Sequence, residues 1–123
     1  GDMVPGDYMP LYKYVAYRVA NYWNKKNCNC GLVVGATYPG ELKEVRERAF
    51  DMPILVPGIG FQQKDVPLEE QVKQVVSAGR YGRDLRMIFN SSRGIIFASN
   101  GPDFADAARR ETLKLHNLIN QYR

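Results

Sequence analysis

Val56-Pro57-Gly58-Ile59-Gly60-Phe61-Gln62 and, further along, Asn90-Ser91-Ser92-Arg93-Gly94-Ile95-Ile96 decide how this chain is read. Each follows a short run rich in β-branched or bulky apolar residues and ends in a turn of glycines and polar groups. That is how a phosphate site is built at the carboxyl ends of parallel strands. The two segments together point to a sugar-phosphate or nucleotide ligand. Gly58 and Gly60 permit a sharp turn and a close backbone approach to that ligand, because glycine lacks the Cβ that forbids positive φ. Gln62 brings an amide that can donate to one oxygen and accept from another group. Ser92 and Arg93 stand where a strand stops, offering backbone N–H groups and a guanidinium whose planar fork suits phosphate. Either segment alone would be an ordinary turn or a solvated charge. Their joint occurrence at successive strand ends is what a purely structural account does not require.

Outward from these segments the pattern alternates. Residues 1–9, with Pro5 and Gly6, read as an irregular lead-in ahead of Pro10. Leu11, Val15, Val19 and Tyr22 recur at helical spacing and predict a helix to about Lys26, with the aromatic face of Tyr14, Tyr22 and Trp23 directed into the core. A buried strand is expected at Leu32 to Ala36. Pro39 opens a helix to about Ala49, whose charges Glu41, Lys43, Glu44, Arg46, Glu47 and Arg48 are expected to form a solvated face. Pro53 to Val56 reads as a strand, Leu68 to Ala78 as a helix, Gly79 to Arg83 as a glycine-punctuated turn and Leu85 to Phe89 as a third strand. A final helix is capped near Asp103 and carries Phe104, Ala108, Leu115 and Ile119 on one face. The order α-β-α-β-α-β-α is that of a parallel sheet with crossover helices.

Gly31-Leu32-Val33-Val34-Gly35-Ala36-Thr37-Tyr38-Pro39-Gly40-Glu41-Leu42-Lys43, Met52-Pro53-Ile54-Leu55-Val56-Pro57-Gly58-Ile59-Gly60 and Asn90-Ser91-Ser92-Arg93-Gly94-Ile95-Ile96 resemble, in order, the carboxyl-terminal half of orotidine 5'-phosphate decarboxylase in its longer bacterial-type branch. The resemblance runs from about Leu11 to the end. It implies an α/β fold that is part of a TIM (β/α)8 barrel, with residues 1–123 forming the carboxyl-terminal half of one barrel domain. It further implies conversion of orotidine monophosphate to uridine monophosphate and carbon dioxide in pyrimidine biosynthesis, with no metal and no organic cofactor. By the same resemblance Gln62, Ser92 and Arg93 hold the substrate phosphate, and Val56 and Pro57 lie beside the pyrimidine. The loop of Gly58 and Gly60 continues into Gln63 and Lys64, where the family usually carries two glycines, which predicts a stiffer and more positive loop. The family's catalytic Asp-Lys-Asp array belongs to the amino-terminal half, and no segment here matches it. The implied partners are therefore the amino-terminal half of the same enzyme and, for the intact protein, a second copy in a homodimer.

Length argues the same way, since a barrel of this kind takes about 250 residues and the chain has 123. With 45% hydrophobic and 24% charged residues it has enough apolar side chains for a core. No apolar run approaches the roughly 20 residues needed to span a bilayer, and no basic-then-apolar leader precedes the first helix, so no membrane partner and a cytoplasmic setting are expected. The net charge of +4 suits an anionic small ligand. Its basic residues are scattered without the aromatic interleaving of a nucleic-acid surface, and no nucleic-acid partner is expected. Cys28-Asn29-Cys30 with His116 lacks the ligand count of a zinc site and reads as free thiols. Two other functions fit the residues: a non-catalytic nucleotide-monophosphate binding module, and another phosphate-barrel isomerase or epimerase. The latter needs acidic or histidine groups at strand ends, where this chain offers Thr37, Gln62 and Ser91-Ser92-Arg93.

Overall fold

A computed structural model describes residues 8–60 and 63–123. Most of the expected lead-in and the Phe61-Gln62 pair lie outside the described residues. Three strands, β1 (Leu32–Val33), β2 (Ile54–Val56) and β3 (Met87–Phe89), form one sheet in the order β1-β2-β3. Both pairings are parallel. Between β1 and β2 runs α3 (Pro39–Ala49), and between β2 and β3 runs α4 (Leu68–Gly79). Pro39 starts α3 because its fixed φ suits a first helical turn and its missing N–H removes nothing from the helix. The β1 pairing extends past the strand proper: the N–H groups of Leu32, Val34 and Ala36 donate to the carbonyls of Pro53, Leu55 and Pro57 at 3.0, 2.9 and 2.9 Å. The expected Leu32–Ala36 segment is thus hydrogen-bonded throughout.

The two faces of the sheet differ in a way that decides what the fold is. Ile54 and Val56 are fully buried and Met87 nearly so, packed with Leu42, Val45, Val72, Val75 and Val76 from α3 and α4. On the opposite face the register aligns Val33 with Leu55 and Leu55 with Ile88. That row is apolar, yet Val33 is 69% and Ile88 59% exposed. Parallel sheets are ordinarily covered on both faces, because crossover connections and barrel closure put apolar side chains on each. One face here is finished and the other is not.

The first helical region is α1 (Leu11–Arg18), a π-helical turn (Val19–Trp23) and α2 (Asn24–Asn27). The predicted aromatic core face is corrected by this geometry: Tyr14, Tyr22 and Trp23 are exposed, with Tyr22 under the Arg18 guanidinium at 4.2 Å. Ala16 and Val19 are the buried residues, flanked by the partly buried Tyr12 and Ala20. The expected charged face of α3 needs a second correction. Arg46 is only 5% exposed, and Glu44 is engaged by the Tyr12 hydroxyl and Lys13 ammonium, each at 2.6 Å. Those two donors hold the Glu44 carboxyl below its ordinary pKa, while the hydrogen bond to Glu44 pushes Tyr12 up to about 12.

After β3 the chain enters a helix that sequence spacing does not predict, α5 (Arg93–Ile96), before α6 (Phe104–Tyr122) packs on α4 and α5. Ala107 and Ile119 are the buried positions of α6, whereas Phe104 is exposed.

Candidate functional site

All three strands point the same way, so the turns after β1, β2 and β3 gather at one end of the sheet. Two of them enclose a pocket of about 160 Å³ lined by Pro57, Gly58 and Ile59 after β2 and by Asn90 through Gly94 after β3. Gly58 and Gly60 adopt φ of 88° and 82°, the left-handed region that side chains with a Cβ avoid. Both glycines thus stand where the turn itself needs positive φ. Among the described residues, Arg93 is the only charged one lining the pocket. The described lining thus combines this guanidinium with the polar groups of Asn90, Ser91 and Ser92.

Ser92 and Arg93 come together in this pocket, as the sequence suggests, but on a different local structure. Arg93 is the first residue of α5 and Ser92 its preceding residue. The Ser92 carbonyl accepts from the N–H groups of Ile95 and Ile96 at 3.2 and 2.8 Å. Pro57 lines the pocket; Val56 does not, because its side chain lies on the helix-covered face of β2 and is fully buried. Gln62 falls outside the described residues. Gln63 is partly buried and its side-chain amide donates to the Thr37 carbonyl, whereas Lys64 is exposed. Among the described residues no cluster of histidine, cysteine, aspartate or glutamate is arranged to hold a metal, and no helix is long and apolar enough to cross a membrane. Cys28 and Cys30 are free thiols and His116 is exposed beside Asn120.

A curated orotidine 5'-phosphate decarboxylase from Ralstonia pickettii (strain 12J) is 46% identical over 117 residues, 95% of this chain and 41% of that protein. One from Janthinobacterium sp. (strain Marseille) is 47% identical over 116 residues, 94% of this chain and 40% of the relative. The chain is homologous to orotidine 5'-phosphate decarboxylases. It spans about two fifths of the length of these curated relatives. A solved OMP decarboxylase of Leishmania donovani superposes with a TM-score of 0.66 at 34% identity, over 96% of this chain and 40% of that one. The UMP synthase of the same organism gives 0.66 at 33% identity, over 94% and 24% of the two chains. No model of a protein family matches the chain. The decarboxylase neighbours bear out the α/β expectation of three parallel strands that form part of a TIM barrel. In a closed (β/α)8 barrel the helices ring the outside of the strands, so a face opposite α3 and α4, such as the Val33–Leu55–Ile88 row, is of the kind that closure turns inward.

Proposed function

We propose that this chain is the phosphate-gripping, carboxyl-terminal portion of an orotidine 5'-phosphate decarboxylase, which converts orotidine monophosphate to uridine monophosphate and carbon dioxide in the cytoplasm. The observation that carries this reading is the pocket between Pro57–Ile59 and Asn90–Gly94, with its single cation at the carboxyl ends of adjacent parallel strands. Arg93 and the amides around Ser92 hold the phosphate, joined by Gln62; Pro57 borders the pyrimidine. In the reaction the bond between C6 and its carboxylate breaks, the electron pair stays on C6, and a lysine proton replaces the departing carbon dioxide. That lysine and its flanking aspartates belong to the remaining portion of the barrel, which this chain needs as a partner, and the assembled protein pairs as a homodimer. What the present residues contribute is binding energy at the remote phosphate, useful to catalysis where it is realised in the transition state.

Among the described residues no carboxylate or lysine lines the pocket, which favours a non-catalytic nucleotide-binding module as the second reading. An isomerase or epimerase fares worse, because among the described residues its acid–base groups have no counterpart in the pocket at these strand ends.

Arg93→Ala is the direct test. A charge-assisted hydrogen bond to phosphate is worth about 1.5 to 3 kcal/mol. In the chain completed by the amino-terminal portion of a relative, the change should weaken uridine monophosphate by about tenfold to a hundredfold and leave uridine unaffected in a calorimetric titration. Equal losses for both ligands would remove Arg93 from the phosphate site. Lys64 is expected to add a smaller, salt-sensitive attraction, since an exposed ammonium is screened over about 8 to 10 Å at ordinary ionic strength. Replacing Gln63 and Lys64 by two glycines should flatten the salt dependence of uridine monophosphate binding; an unchanged slope makes Lys64 a bystander.

A further inference from the structure

The described limbs between β2 and α4, Pro57–Gly60 and Gln63–Pro67, are fastened by two glutamine side chains whose placement a simple connection does not need. Gln71, in the first turns of α4, is 5% exposed. Its Oε1 accepts from the Gly60 N–H at 2.9 Å, and its Nε2 donates to the carbonyls of Gln63 and Val66 at 2.9 and 2.6 Å. One buried amide thus holds the limb leaving β2 and the limb entering α4 together, with both of its N–H groups used. Gln63 adds a second fastening in a different direction, donating its side-chain N–H to the Thr37 carbonyl. Thr37 follows Ala36, whose own N–H donates to Pro57 at 2.9 Å. The turns after β1 and β2 are therefore tied to each other and to α4 around Pro57–Gly60.

Ordering two glutamine side chains costs rotamer freedom, and surface turns ordinarily leave such groups to water. The fastenings end on the backbone beside the pocket: Gly60 follows Gly58 and Ile59, which line it. We propose that Gln63 and Gln71 are positioning residues of the phosphate site. They hold the Gly58–Gly60 backbone in its ligand-ready, left-handed conformation before the ligand arrives, so that binding is not weakened by ordering the turn. Neither residue touches the reacting atoms. The inference rests on the decarboxylase reading, and it differs from a stabilising role in predicting a loss confined to phosphate-bearing ligands.

The experiment compares Gln63→Ala, Gln71→Met and Gln71→Glu with the parent and with Arg93→Ala in the completed enzyme, reading affinity for uridine monophosphate and uridine, KM, kcat and melting temperature. One hydrogen bond lost at Gln63 should weaken uridine monophosphate about fivefold, and three lost at Gln71 tenfold or more. Uridine affinity and kcat should stay within about twofold while KM rises with the loss of ground-state binding. Gln71→Glu keeps the acceptor for Gly60 but sets a carboxylate against two carbonyls. It should regain part of its uridine monophosphate affinity, relative to the parent at the same pH, as the new carboxyl is protonated. Should Gln71→Met fail to fold, Gln63→Ala decides, since Gln63 is partly exposed and its bond to Thr37 can be removed without opening a cavity in the core. Unchanged affinity in both, with Arg93→Ala impaired, overturns the inference and leaves the decarboxylase reading standing. Equal loss for both ligands overturns it in favour of a stabilising role. A parent enzyme that does not distinguish uridine monophosphate from uridine overturns the decarboxylase reading itself.

Discussion

Arg46→Ala is expected to cost about 3 to 5 kcal/mol, a large share of the stability that a domain of this size possesses. Four of the five N–H groups of this guanidinium are spent on backbone carbonyls: Nε on Gly79 at 2.5 Å, Nη1 on Phe50 and Met52 at 2.6 Å each, and Nη2 on Arg86 at 2.9 Å. These carbonyls sit at the end of α4, just past α3 and ahead of β2 and β3, so a single side chain gathers the end of the sheet opposite the pocket. Two of the acceptors are strained. Phe50 and Arg86 have φ of 52° and 48°, left-handed conformations that disfavour side chains with a Cβ. Burial pushes the Arg46 pKa down, with Asp51 opposing it, yet a guanidinium stays charged at neutral pH. Truncation would leave buried carbonyls without donors, which costs more than the hydrogen bonds gained in making them. Arg46→Lys should recover only part, because three N–H groups on one nitrogen cannot span these acceptors. Phe50→Gly should raise the melting temperature by relieving the strain. Thermal melts followed by circular dichroism check all three; an Arg46→Ala melt within a few degrees of the parent would contradict the clamp.

The second large effect concerns the open face of the sheet. Ile88→Asp should change the stability of the isolated chain by no more than about 0.5 to 1 kcal/mol, because Ile88 is 59% exposed there. In a closed barrel the same carboxylate would be buried without a partner, at a cost of several kcal/mol. Association with the complementary portion should accordingly weaken by a thousandfold or more. Size-exclusion chromatography of mixtures separates the cases: the parent should form a complex and Ile88→Asp should not. Equal association by both would mean that this row lies outside the contact.

Much of this was legible in the sequence because local signals agree with the fold. The apolar strand segments, Pro39 at the start of α3, and Gly58 and Gly60 at positive φ are readable from residue chemistry. Other features depend on tertiary placement. Arg46 looks like one more charge on a polar helix until the strands and α4 surround it. Tyr14, Tyr22 and Trp23 suggest a core by size, but the helix approaches α3 through Ala16 and Val19, and the π turn alters the register beyond Arg18. Four-residue α5 is shorter than any periodic signal. Val56 is next to the pocket in sequence, yet strand alternation sends its side chain to the covered face, leaving Pro57 at the site. Gln71 gave no sequence signal; only its contacts with Gly60, Gln63 and Val66 reveal it.

Carbon dioxide release from carboxyl-labelled orotidine monophosphate, measured for the purified chain with and without the amino-terminal portion of the Ralstonia pickettii decarboxylase, decides whether this chain is the phosphate-gripping part of a decarboxylase. Among the described residues no lysine or carboxylate lines the pocket of the chain alone, and one sheet face is uncovered, so it should release nothing above the uncatalysed rate. The mixture should turn over, and Arg93→Ala in the chain should depress that turnover at low substrate. Turnover by a homogeneous preparation of the chain alone, its mass confirmed, would contradict the account; so would an inert mixture that nonetheless forms a stable complex and binds uridine monophosphate.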